Sequence, residues 1–324
     1  MTDESITDNA SSDLTLDKNS LSYLDPAVDE NKKEKIIDYQ STMNESCNCH
    51  NKEKNHRNHD ENKSFSKSYV YVIGKIAHHF PNRSLEMELA QVIGNKPEAE
   101  TRGLSREETV YQALIDPNNR YIARQLCYVM NVEYLETYLL VPSDPLDIEK
   151  LAKALKPSPN LGDIDVIIGR KGSIAPPEMC NGLMLPIVMV DQIYSFDRET
   201  LIKAIPRQTD MSDDQFTRSS NALFDRIIQL ADNAGSTDEH RALNYLAVRY
   251  DKIYERTQLM QDENHSFTGI EVRSSRLSGL RKVLDVIFFY QNRHTLVISK
   301  WFVRVDVTEE FPFLVSSIQE YYER

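Results

Sequence analysis

Hydrophobic residues are scattered without period through the first 67 positions and then gather at Tyr69-Val70-Tyr71-Val72-Ile73-Gly74. A run of β-branched and aromatic side chains this dense predicts a strand buried on both faces. Leu85, Met87, Leu89, Ala90, Val92 and Ile93 then suit a short helix ended by Gly94. Ser105 and Glu108 have the spacing of a capping box, which predicts a helix running to about Ile115, and Asp116-Pro117 stops it. Tyr121, Ile122, Leu126, Val129 and Met130 recur at helical spacing, with Arg120 and Arg124 on one flank, and residues 134–141 read as the second strand. Further strands are expected at Ile164–Gly169 and Leu185–Val190, followed by two long helices over about 213–233 and 237–260. The runs 267–273, 283–291 and 296–307, with Phe311–Tyr322, make the end β-rich. Strands and helices come in blocks, so the expected class is α+β, mixed strands with two long helices, rather than a doubly wound sheet.

One nine-residue pattern occurs twice, at Asp147–Leu155 and Asp197–Ile205, each copy after a strand-like run and before a proline. It reads either as a duplicated strand-then-helix unit or as two amphipathic helices that share helix-favouring residues. Lys156-Pro157-Ser158-Pro159-Asn160 is the best internal linker, because paired prolines disfavour helix and sheet alike. The expected organisation is a disordered arm over 1–67, an α+β subdomain over 68–156 and a second over 161–324.

Composition sharpens the first of these boundaries. Residues 1–67 hold 14 acidic and 9 basic side chains, 9 Asn, no Gly and only 17 apolar residues, too few to offset the entropy of ordering. The whole chain of 324 residues carries a net charge of −12; the arm accounts for −5, so residues 68–324 are acidic as well. That weakens a nucleic-acid or anionic-membrane partner. No apolar stretch is long enough to span a bilayer, and the first residues lack the basic and apolar regions of a secretory signal. Four cysteines do not make a disulfide framework, so a reducing cytoplasm is the expected location.

Few side chains offer chemistry. Cys127 reads as a small buried hydrophobe on an apolar face. Cys180 lies in the loop Ala175-Pro-Pro-Glu-Met-Cys-Asn-Gly182, and His240 opens a long helix, where the dipole disfavours imidazolium and leaves a nitrogen for a metal. If folding joins Cys180 and His240, the pair could hold zinc with a further ligand or act as thiolate and base, although neither has signature spacing. In the arm, Cys47, Cys49 and His50 suit adventitious metal capture. Phosphate-loop, dinucleotide, nucleophile-elbow and His-Glu-x-x-His motifs are absent from the sequence. Basic density peaks at Arg273, Arg276, Arg281 and Lys282, which could hold an acidic peptide through guanidinium forks or simply form a solvated strand edge.

Several long strings carry a family resemblance: Tyr69–Ile76, Asn119–Cys127, Ile174–Pro186, Ala231–Tyr245 and Phe302–Leu314. On these the region from Tyr69 onward resembles the C-terminal region of the PatG/PatA-type proteins that mature cyanobactins, ribosomally made cyclic peptides. In that family the region is an appendage of unassigned activity beside a subtilisin-like protease. Residues 1–67 are too short for such a protease, so no triad carries over. The resemblance implies a non-catalytic accessory module that binds a precursor peptide or a subtilisin-like maturation protease. A metal-assisted enzyme using Cys180 and His240, and a homodimeric scaffold, are the alternatives.

Overall fold

Strand β1 (Tyr69–His79) organises the molecule because its alternate side chains serve two cores. Val70, Val72 and Ile76 point to one core and Tyr71 and Ile73 to the other, as the two-residue period of a strand requires. The computed structural model describes residues 68–97, 102–157, 163–204, 213–228 and 233–322, all within one compact unit. The expected arm lies outside the described residues, as does most of the expected linker.

After β1 come α1 (Arg83–Gly94) and α2 (Arg106–Ile115). Asn82 caps α1 by accepting from the Leu85 N–H at 2.9 Å. The Ser105–Glu108 capping box forms in both directions, at 3.1 and 2.7 Å. Only Arg120–Ala123 of the next expected helix is helical (α3); Cys127–Val132 is strand β2, followed by β3 (Leu135–Pro142). Pairing decides this correction, since β2 is hydrogen-bonded to β1 on one edge and to β3 on the other. A short helix α4 (Ile148–Ala154), β4 (Asp163–Ile174), β5 (Pro186–Asp197) and α5 (Arg198–Ala204) follow. The two repeated motifs are thus α4 and α5, and the strands that precede them, β3 and β5, are parallel neighbours.

These five strands close a barrel in the order β1-β2-β3-β5-β4. A five-stranded Greek-key barrel with a helix between its third and fourth strands has the connectivity of the OB type. Strands from both sides of the expected boundary at 156–161 close this one barrel. Gly74 sits where β1 stops pairing with β4 and begins pairing with β2; a Cβ there would lie 2.1 Å from the Asn131 carbonyl oxygen.

The second layer is helical: α6 (Asp213–Ile228), α7 (Asp238–Arg249) and α8 (Lys252–Asp262). The expected long helix over 237–260 is broken at Tyr250, whose backbone leaves helical geometry at φ −126° and ψ 89°; its hydroxyl accepts the backbone N–H of Ile318 at 2.9 Å. The third layer is an antiparallel sheet, β6 (His265–Ser274), β7 (Val283–Asn292), β8 (Ile298–Asp306) and β9 (Phe313–Glu320), in sequential order. Phe216, Phe224, Leu246, Phe288, Tyr290 and Val303 bury themselves between barrel and sheet. Each such side chain contributes about 1.5–3 kcal/mol. The fold is α+β, with a mixed barrel sheet and several helices. No helix among the described residues is long and apolar enough to cross a membrane.

Candidate functional site

OB barrels commonly bind ligands on the β2–β3 face, between the β1–β2 and β4–β5 loops. Here that face is closed. The β4–β5 loop folds across it, packing Ala175, Cys180, Leu183 and Leu185 on Val129 and Leu139. A disulfide between Cys127 at the start of β2 and Cys180 in the loop fastens the cover. The β1–β2 connection is opened instead: it carries α1 to α3, and a groove of about 1090 Å³ runs between α1, α2, the end of β1 and Leu155.

The groove follows from surplus apolar residues on α1. Leu85 and Leu89 are buried, which satisfies the core-facing stripe, yet Met87 is 50% exposed and Ala90 and Ile93 line the groove with Val110 of α2 and Ile76 of β1. Its polar groups are His78, Glu86, Lys96, Arg106, Glu107, Thr109 and Tyr111. Burial, and then neighbouring His79, push the His78 imidazole down from its ordinary value, so it is neutral near pH 7. Its ring meets Phe80 edge-on at 5.5 Å. A concave apolar surface with a few fixed polar groups binds ligand side chains by burial and orients them by hydrogen bonds.

The residues singled out from the sequence lie elsewhere. Cys180 is 1% exposed, and with its sulfur bonded to Cys127 it has no thiolate to offer a metal or a substrate in this state. His240 occupies the first turn of α7, its backbone N–H donating to the Thr237 hydroxyl at 3.1 Å. Among the described residues no group of three or more His, Cys, Asp or Glu side chains is placed to hold a metal. The basic residues run along the β6–β7 connection, and all four are exposed. Arg273 holds Glu271, with Nη2 at 2.8 Å from Oε2, and Lys282 reaches Asp238 at 2.8 Å. Arg281 lies 2.6 Å from the wholly buried Asp306, close enough for an ion pair but without hydrogen-bond alignment. An acidic peptide would exchange Glu271 and Asp238 at about 0–1 kcal/mol each, whereas taking Arg281 would leave the buried Asp306 carboxylate without its ion pair. Arg276 is exposed in the same connection.

A second cluster of titratable groups joins barrel to sheet. Asp191 of β5 takes a fork from Arg170 at 3.1 and 3.2 Å, and its carboxyl also hydrogen-bonds Glu310. Burial, the bond to Asp191 and its charge push Glu310 up to about 8, while Arg170 and Arg241 pull the other way. Burial likewise pushes Asp165 up to about 6, against the donors Ser195 and the Ile76 N–H. Both folded-state values exceed those of an unfolded chain, so the native state holds extra protons. The stability they lend is complete below about pH 3.8 for Asp165 and about pH 4.5 for Glu310, and is lost as pH rises through about 6 and about 8 respectively. The thermal midpoint should therefore fall between pH 5 and 9, and Glu310→Gln should flatten the upper part of that decline. An unchanged slope in Glu310→Gln would remove Glu310 from this role.

The known proteins that this chain is similar to bear on the sheet and helix layers first. Residues 210–321, from α6 to the end of β9, match the family model described as PatG C-terminal. A solved structure titled "PatG Domain of Unknown Function" superposes with a TM-score of 0.64 at 20% identity, covering 79% of this chain and 99% of that one. No curated protein matches the chain.

Proposed function

We propose, for a chain that carries a PatG C-terminal region at residues 210–321, a non-catalytic accessory role in cyanobactin maturation in which the groove over β1 holds a precursor peptide. The observation that carries this reading is the groove itself: about 1090 Å³ of open space with an apolar lining from three elements, beside an OB face that is already covered. A site that buries apolar side chains inside a rim of charged ones is suited to retaining a substrate for another enzyme. The basic β6–β7 connection, Arg273 to Lys282, offers a second contact for acidic residues of the same peptide or of a subtilisin-like partner.

The test is fluorescence anisotropy with a fluorescein-labelled cyanobactin precursor peptide and the full chain. Saturable binding is expected, and Ala90→Trp, which fills the groove from an exposed helix position, should weaken it at least tenfold with the circular dichroism spectrum unchanged. The peptide should be recovered with its mass unaltered. Equal binding by Ala90→Trp, or conversion of the peptide by the purified chain, would overturn the reading.

A further inference from the structure

The two edges of β1 are used differently along its length. Tyr71 turns its backbone away from β4: its N–H donates to the Gly235 carbonyl at 2.9 Å, and its carbonyl accepts from Asn244 Nδ2 at 2.8 Å. By strand alternation the odd-numbered residues continue to face that edge, and from Lys75 to His79 it is filled by β2. The even-numbered residues face β4, whose pairing with β1 stops at Gly74 opposite Asp165. The next even position, Ile76, has its N–H satisfied by the Asp165 carboxylate at 2.9 Å, a side chain standing in for a strand. Beyond it, His78 directs its backbone groups to the same side, and the strand ends at His79. Among the described residues no strand pairs with that edge. Ile76, His78 and Phe80 also line the groove.

Resting on the groove reading above, we infer that the bound segment is an extended peptide that adds as a strand to the C-terminal half of β1, its alternate apolar side chains entering the groove. A strand edge supplies main-chain donors and acceptors in a fixed two-residue rhythm, and the adjoining hollow then selects every second side chain. His78, the one titratable side chain that β1 contributes to the groove, is kept neutral near pH 7 by burial, and the charged groups of the lining stand on α1, α2 and the turn after α1. The five residues of β1 from Lys75 to His79 span roughly 17 Å, enough for a peptide of similar length.

The probe is the shortest fragment of the precursor peptide that still binds the full chain, made in two forms N-methylated at alternate residues. One form should lose at least tenfold in affinity, because its methyl groups replace the N–H donors turned to β1, and the other should bind nearly as well as the parent. In ¹⁵N-labelled protein the amide proton of His78 should move downfield on binding. If both forms bind like the parent while Ala90→Trp still abolishes binding, strand addition is wrong and the groove reading survives. If no fragment binds, both fall together.

Discussion

Replacing Arg241 with alanine is expected to lower the unfolding free energy of the full chain by about 3–5 kcal/mol, because three backbone carbonyls lose a buried charged donor at once. Arg241 is 2% exposed on α7. Its Nη1 donates to the Val307 carbonyl at 2.9 Å and pairs with Asp238 at 3.3 Å, while Nη2 donates to the carbonyls of Glu309 and Glu310. The guanidinium also stands 5.2 Å from the ring of Tyr69 on β1. One side chain therefore ties the β8–β9 loop to the helix layer and to the barrel. Alanine would leave three carbonyls to find water and would open space beside Tyr69. Lysine keeps the charge but not the fork, so Arg241→Lys should recover only part of the loss. Urea titration monitored by tryptophan fluorescence, with Trp301 as the single reporter, checks this. A loss below about 1 kcal/mol for alanine would mean that water already serves those carbonyls.

The second large effect is expected at Asn244. Its amide donates to the Tyr71 carbonyl at 2.8 Å and exchanges hydrogen bonds with Asn233, at 2.8 Å one way and 3.2 Å the other. Asn233 in turn donates to the Ile227 carbonyl at 3.2 Å. Both asparagines are buried, so Asn244→Ala strands the Tyr71 carbonyl and one end of Asn233, a cost of about 3 kcal/mol. The pair holds residues 233–235 against β1, where Gly235, at φ +69°, brings its backbone so close that a Cβ would lie 2.3 Å from the Tyr71 carbonyl oxygen. Thermal unfolding of Asn244→Ala, Asn233→Ala and the double variant should show strong coupling, the double costing clearly less than the two singles together. Additive losses would show that the two amides act independently.

Local chemistry made parts of the fold readable in advance. Ser105 and Glu108 announce a helix start because a capping box is complete within four residues, and the apolar run Val283–Tyr290 reads as the buried strand it forms in β7. Where partners are distant, local pattern misleads. The apolar spacing of residues 121–130 suits a helix, and β2 forms because β1 and β3 offer it two edges. The local pattern does not mark the helix break at Tyr250, where the backbone turns to φ −126° and ψ 89° and the hydroxyl is bonded to β9 across 68 residues. Cys127 and Cys180, 53 residues apart, pair only because the β4–β5 loop crosses β2. The groove left one trace, an α1 with more apolar residues than one buried stripe can use; its walls come together only when β1, α2 and Leu155 fold beside it.

The covered OB face and the open groove make a spatial claim that a footprint can decide. Hydrogen exchange of the full chain, with and without a cyanobactin precursor peptide, is predicted to show new protection at residues 76–94 and 106–115, with the peptide intact. Protection confined to the β6–β7 connection around Arg273–Lys282, with no change along β1, α1 and α2, would contradict it.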